Sequence, residues 1–259
     1  MQYAKTADSE KELNKIWNDS RFKNVQGKTS ALKKEVLQTI DIQNLADTLG
    51  APIEEVAALW SKFAGKKGAI VDYYTRLTVA TRELENQKRI VQDLEDSTRF
   101  LGSDTARLEN LKKQSEALTE QARLEQELLD IELEGIAKDV QNNGLTAADL
   151  KKAGITKTEY DAFINGMVNN GTFDEAFYQK LKEAALKGGV EDFDLLDQYL
   201  TQYSDKLIEG TDTVNQSLYA TLDKNAESFE LQFTLELDVQ KTKREFAEFY
   251  KSFDSTQGV

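Results

Sequence analysis

A single proline, Pro52, stands among 259 residues. Proline removes a donor from the helix ladder and its ring clashes with the preceding turn, so a chain this poor in it can run as helix almost anywhere. Ordinary usage of about 5% would give roughly a dozen. The remaining sequence has only to decide where helices stop and which face each one buries.

The clearest stop divides two long periodic stretches. From about Lys66, Leu77, Leu84 and Val91 recur every seven residues, and Ala80, Gln87, Leu94 and Leu101 repeat at that spacing three residues on, the pattern of a coiled-coil seam weakened by Gln87 and Thr98. The seam ends at LGSD, where Gly102 is suited to the left-handed conformation that ends a helix and Ser103 or Asp104 to capping the next. A second arm from Asp104 to Gln141 carries Leu108, Leu111, Leu118, Ala122, Leu129, Ile136 and Val140 on one side. Leu124, Leu128, Ile131 and Leu133 widen its stripe. Residues 66–141 are therefore expected to form an antiparallel hairpin turning at Gly102 to Asp104, with a third helix over the widened stripe.

Residues 1–65 read as short helices. Leu13, Ile16 and Trp17 share one face; Leu32, Val36, Leu37 and Ile40 share another after the turn NVQGKTS; and a helical pair spans 41–63. Residues 142–210 read as a capped short-helix module, with Thr146 and Asp149, Thr156 and Glu159, and Thr172 and Glu175 each at capping-box spacing. An NNG stop occurs twice in this segment. Residues 211–259 read as one long C-terminal helix, with an apolar stripe of Val214, Leu218, Leu222, Ala226, Phe229, Phe233 and Leu237 and crowded aromatics at its end. The expected fold class is all-α.

Composition bounds the chemistry. With no cysteine and no histidine, thiolate nucleophiles, disulfides, imidazole bases and His- or Cys-ligated metals are excluded. Paired carboxylates such as Glu132 and Glu134 sit in charged helical patterns and read as solvated faces. GKKGA at 65–69 lacks the upstream glycine and the Ser or Thr of a phosphate loop, and reads as a basic helix junction. No catalytic, cofactor-binding or metal-binding residue is assigned, and no enzyme is expected. The net charge is −13, with twelve basic against twenty-one acidic residues in 142–259, which repels nucleic acid and anionic membranes. No run of 18 apolar residues occurs and the N-terminus lacks a signal-like apolar segment, so the expected location is the cytoplasm or a particle assembled there, such as a virion.

Leu45 to Leu59, LADTLGAPIEEVAAL, resembles the helix-turn-helix of bacterial DNA-binding proteins, with Ala46, Gly50 and Val56 at the small, turn and buried positions. The resemblance implies a second helix reading bases, yet that helix would present Pro52, Ile53, Glu54, Ala57 and Ala58. Acidic and apolar residues do not suit a phosphate-lined groove, so no specific nucleic-acid binding is expected. Ile53, with Trp60 and Phe63, is instead a candidate protein-docking surface, and Trp60 equally suits ordinary core.

In general texture, a long acidic hairpin with short capped helices, the chain is similar to internal, tail-associated or assembly proteins of bacteriophage particles. The likeness is one of composition and implies oligomerisation through helix faces without a cofactor. The expected function is a structural or scaffolding component with protein partners and self-association, with Phe246, Phe249, Tyr250 and Phe253 as further candidate interaction residues. The alternatives are a regulatory adaptor docking through the helix-turn-helix-like pair and a helical pore-forming toxin, the latter disfavoured by the polar tip RFLGSDTAR.

Overall fold

The computed structural model describes residues 26–190 and 193–256, and every regular element among them is a helix. In chain order these are α1 (Gln26–Leu49), α2 (Ile53–Lys62), α3 (Lys67–Thr98), α4 (Asp104–Asn142), α5 (Ala147–Ala153), α6 (Lys157–Asn170), α7 (Glu175–Gly188) and α8 (Phe193–Thr256). The expected face of Leu13, Ile16 and Trp17 lies outside the described residues.

The chain divides into two compact units, neither continuous in sequence. The first comprises residues 1–76, 135–170 and 174–199, and the second 77–134, 171–173 and 200–259. The hairpin segment 66–141 thus contributes to both.

In the first unit, α1 is already helical from Gln26, so Gln26 to Ser30 of the expected turn are helix and no new helix starts at Asp41; Asn24 and Val25 lie outside the described residues. Asp41 is suited to capping a new helix, but no glycine or proline stands between Gly27 and Gly50 to stop the first one before it. The first effective stop is Gly50, which takes φ +64 while the Ala51 N–H donates to the Ala46 carbonyl at 3.1 Å. An L side chain there would be strained, whereas glycine is not. Pro52 follows and opens α2, its missing N–H costing nothing at a helix start. Leu45, Ala46, Val56 and Leu59 are buried between the pair.

GKKGA forms the junction into α3, where Lys67 Nζ lies 2.7 Å from Asp41 Oδ1. The Asn142 side-chain amide donates to the Lys62 carbonyl, and Lys62 pairs with Asp139 at 3.0 Å. Thr146 caps α5 in a full capping box with Asp149, and Thr156 and Glu159 make the same exchange at α6. The third expected box is not made. Asp174, one residue before the helix, accepts from the Phe177 N–H at 2.9 Å and displaces Thr172 from the role. The core of these short helices includes Tyr160, Phe163, Met167, Tyr178, Leu181 and Leu196.

In the second unit the two hairpin arms run antiparallel as expected. Gln87 Nε2 donates to the Ala117 carbonyl at 2.8 Å and Asn110 Nδ2 to the Leu94 carbonyl at 3.2 Å. Ala80, Leu84 and Val91 are buried on one arm, and Leu111, Leu118, Ala122 and Leu129 on the other. At the turn, Ser103 caps α4 by accepting from the Ala106 N–H at 3.2 Å. Gly102 is not among the residues with positive φ; α3 stops at Thr98, and Arg99 to Gly102 cross over without a left-handed residue.

The C-terminal helix starts earlier than its sequence suggests. α8 runs unbroken for 64 residues from Phe193, through Gly210. Gly210 is there for closeness: a Cβ on it would stand 2.3 Å from Leu129 Cδ1. This contact seats α8 as a third helix against α4, through Leu129 of the first row and not through the widening residues Leu124, Leu128, Ile131 and Leu133.

Candidate interaction surface

The second unit holds a helix docked by its polar face. α8 runs antiparallel to α4, with Lys206 Nζ 2.7 Å from Glu132 Oε2, Gly210 against Leu129, Ser217 against Glu125 and Asn225 against Ser115. Ser217 Oγ donates to Glu125 Oε2 at 2.6 Å, and Gln121 Nε2 donates to Glu125 Oε1 at 2.9 Å. Ser115 Oγ donates to Asn225 Oδ1 at 2.7 Å. Glu125, Ser217, Thr221 and Ser228 are all buried, while Lys88 Nζ approaches Glu125 at 3.6 Å from the solvent side. Buried polar groups are tolerable when paired, and among the described residues no buried side-chain nitrogen or oxygen lacks a partner.

The consequence is an inverted helix. Of the expected stripe, only Val214 is buried; Leu218, Leu222, Phe229, Phe233 and Leu237 are 44%, 62%, 72%, 55% and 54% exposed. The hairpin does not take this stripe. The polar series Ser217, Thr221, Asn225 and Ser228 precedes Leu218, Leu222, Ala226 and Phe229 by one residue each, about 100° of rotation apart on the helix. Two faces therefore compete for α4, and hydrogen-bonding partners on α4 select the polar one.

Beyond the stripe, α8 continues past the hairpin turn. A groove of about 400 Å³ lined by Leu108, Phe233, Leu235, Leu237 and Val239 marks where α4 begins beside it. From Asp238 to Glu248 every residue is exposed, Phe246 at 60%. Phe249, Tyr250 and Phe253 follow on the same helix, and their side chains lie outside the described residues. At the turn itself Phe100 is 86% exposed.

The N-terminal candidates separate. Ile53 is 43% exposed beside the exposed Glu54 and Glu55. Trp60 is half-buried, its indole packed against Gly65. Phe63 does not belong to a surface: it is buried, with its ring centroid 5.1 Å from that of Tyr73. Its position at the end of α2 turns it into the junction with α3. The three do not form one exposed patch.

A more polar groove in the first unit is lined by Lys152, Gln179, Lys180, Glu183 and Lys187. Two of its cations are engaged, Lys180 with Glu159 at 2.8 Å and Lys187 with Glu183 at 3.6 Å. The Lys180 hydrogen bond, with help from Thr156, holds the Glu159 carboxyl down to about 2. The Lys182 ammonium is pushed upward by Asp197, which also accepts from the Tyr178 hydroxyl at 2.7 Å. Burial raises the Tyr203 phenol to about 12, with Asp130 adding to the shift. Among the described residues, no group of three or more acidic side chains could hold a metal ion, and no helix is long and apolar enough to cross a membrane.

Compared with protein-family models, with curated proteins and with solved structures, the chain matches none of them.

Proposed function

We propose that the protein is a non-enzymatic component of a larger assembly and acts through helix–helix contacts made by the outer face of α8. The observation that carries this reading is the exposed row Leu218, Leu222, Phe229, Phe233 and Leu237. Isolated apolar side chains on a surface need no explanation, but five on one helical face do. At these exposures they hold on the order of 600 Å² of apolar surface, where full burial of one large aromatic removes ~150–250 Å². That equals the largest patch on a typical monomer, about 300–600 Å², and such patches mark interaction sites. The compositional likeness to bacteriophage assembly proteins agrees in kind.

Light scattering combined with small-angle X-ray scattering, from low to high micromolar concentration, tests the reading. The expected result is a mass that rises above the 29.2 kDa of one chain. A single-chain mass at every concentration would count against it.

A further inference from the structure

We infer that the outer face of α8 pairs with the same face of a second copy of this chain, antiparallel, about a two-fold axis passing between Glu227 and Ser228. This rests on the assembly reading above and names its partner.

The first support is the spacing itself. Leu218, Leu222, Ala226, Phe229, Phe233 and Leu237 are separated by four, four, three, four and four residues, a sequence of steps that reads the same in both directions. Reversing one copy against the other sets Leu218 opposite Leu237, Leu222 opposite Phe233 and Ala226 opposite Phe229. The smallest side chain of the row thus meets the most exposed aromatic, as interdigitation requires. A two-fold interface uses one patch twice, so it must be self-complementary, and this row is.

Area fits as well. Two copies covering this row would remove about 1,200 Å², the lower end of the ~1,200–2,000 Å² of a standard interface. An anionic membrane is the poorer occupant because the rim of the row is acidic between Asp223 and Asp238.

The chain has no cysteine, so single cysteines report cleanly. Leu218→Cys and Leu237→Cys are made separately in the full chain, then cross-linked with a short bismaleimide, each alone and as a mixture. In the antiparallel pair two copies of position 218 stand roughly 28 Å apart at 1.5 Å per residue, whereas 218 and 237 are adjacent. The expected result is a cross-linked dimer in the mixture and none from either variant alone. Phe229→Asp with Phe233→Asp, both at exposed positions, should raise the dimer dissociation constant at least ~100-fold, as loss of two interface anchors does, while circular dichroism stays unchanged.

Cross-linking by either variant alone overturns the antiparallel geometry, and an oligomer mass that survives the double aspartate variant overturns the choice of face. The first outcome leaves the assembly reading intact; the second removes the outer face of α8 from it as well. A single-chain mass at all concentrations overturns the two together.

Discussion

The docking of α8 by its polar face makes an unusual stability prediction. Glu125→Ala deletes the acceptor of the Ser217 hydroxyl, 2.6 Å away, and of the Gln121 amide, 2.9 Å away. Ser217 is buried and its hydroxyl is left without that acceptor, at a cost of about 1–3 kcal/mol, whereas the Gln121 amide keeps Ser217 Oγ as an acceptor at 3.1 Å, so the substitution should cost about 1–3 kcal/mol. Loss of the Lys88 pair adds little, because that ammonium is half exposed. Phe229→Asp, at a position 72% exposed, should change the stability of the single chain by no more than about 0.5 kcal/mol. Ordinary amphipathic helices predict the reverse order. Chemical denaturation followed by circular dichroism, at concentrations where the chain is monomeric, gives both values. Adding Ser217→Ala completes a double-mutant cycle, in which the coupling to Glu125 should be about 1–2 kcal/mol. If Phe229→Asp destabilises the monomer more than Glu125→Ala, α8 is docked by its other face and the reasoning fails.

Three further outcomes follow from other parts of the chain. Gly68→Ala, with nothing within 4 Å of a new Cβ, should stabilise by about 0.5–1 kcal/mol through helix propensity, whereas Gly135→Ala drives its Cβ to 2.3 Å from the buried Tyr73 hydroxyl oxygen. Thermal melts should separate the two variants by about 1–3 kcal/mol, since overpacking is the only difference between them. The folded-state carboxyls of Glu159 and Asp149 lie below their unfolded values, through Lys180 and Thr146 respectively, so their contribution is present above the ordinary carboxylate range near ~4 and lost as pH falls below it, for Glu159 as pH falls toward about 2. Tyr203 is raised, so its contribution is present below about 10 and lost as pH climbs through about 12; a melting temperature that instead changes sharply between about pH 6 and 8 would contradict this account of a histidine-free chain. Gel-shift titration with duplex DNA at low salt should show no sequence-dependent binding, because α2 exposes Ile53, Glu54, Glu55 and Ala58, and a submicromolar complex would refute that.

Much of the fold was legible because its signals are local. The seams at Leu84 and Val91 and at Leu111 and Leu118, the Ser103 cap and the Thr146 and Thr156 boxes depend on near neighbours in sequence. What misled were residues whose meaning is set by a distant partner. Gly210 looked like a possible boundary between a short-helix module and a final helix, but Leu129 makes it a contact point inside one helix. Phe63 looked available beside Trp60, and Tyr73 takes it into the core. The largest reversal concerns α8. An apolar stripe is read as inward by default, and a chain without Gln121 and Glu125 on α4 would have had no reason to bury Ser217 in its place. The signal was present as a second row of small polar residues at matching spacing, one step before the apolar row.

That reversal is the central claim, and thiol accessibility tests it most directly. In the cysteine-free background, Leu222→Cys and Ser228→Cys place single thiols on the two faces of α8, at positions 62% and 7% exposed. Reaction with a maleimide is followed in dilute protein, where association cannot protect either site. The account predicts that position 222 reacts at the rate of a free thiol and position 228 at least ~100-fold more slowly, its exposure requiring an opening that costs about 2.7 kcal/mol or more. Equal rates, or fast reaction at 228 with protection at 222, would contradict it.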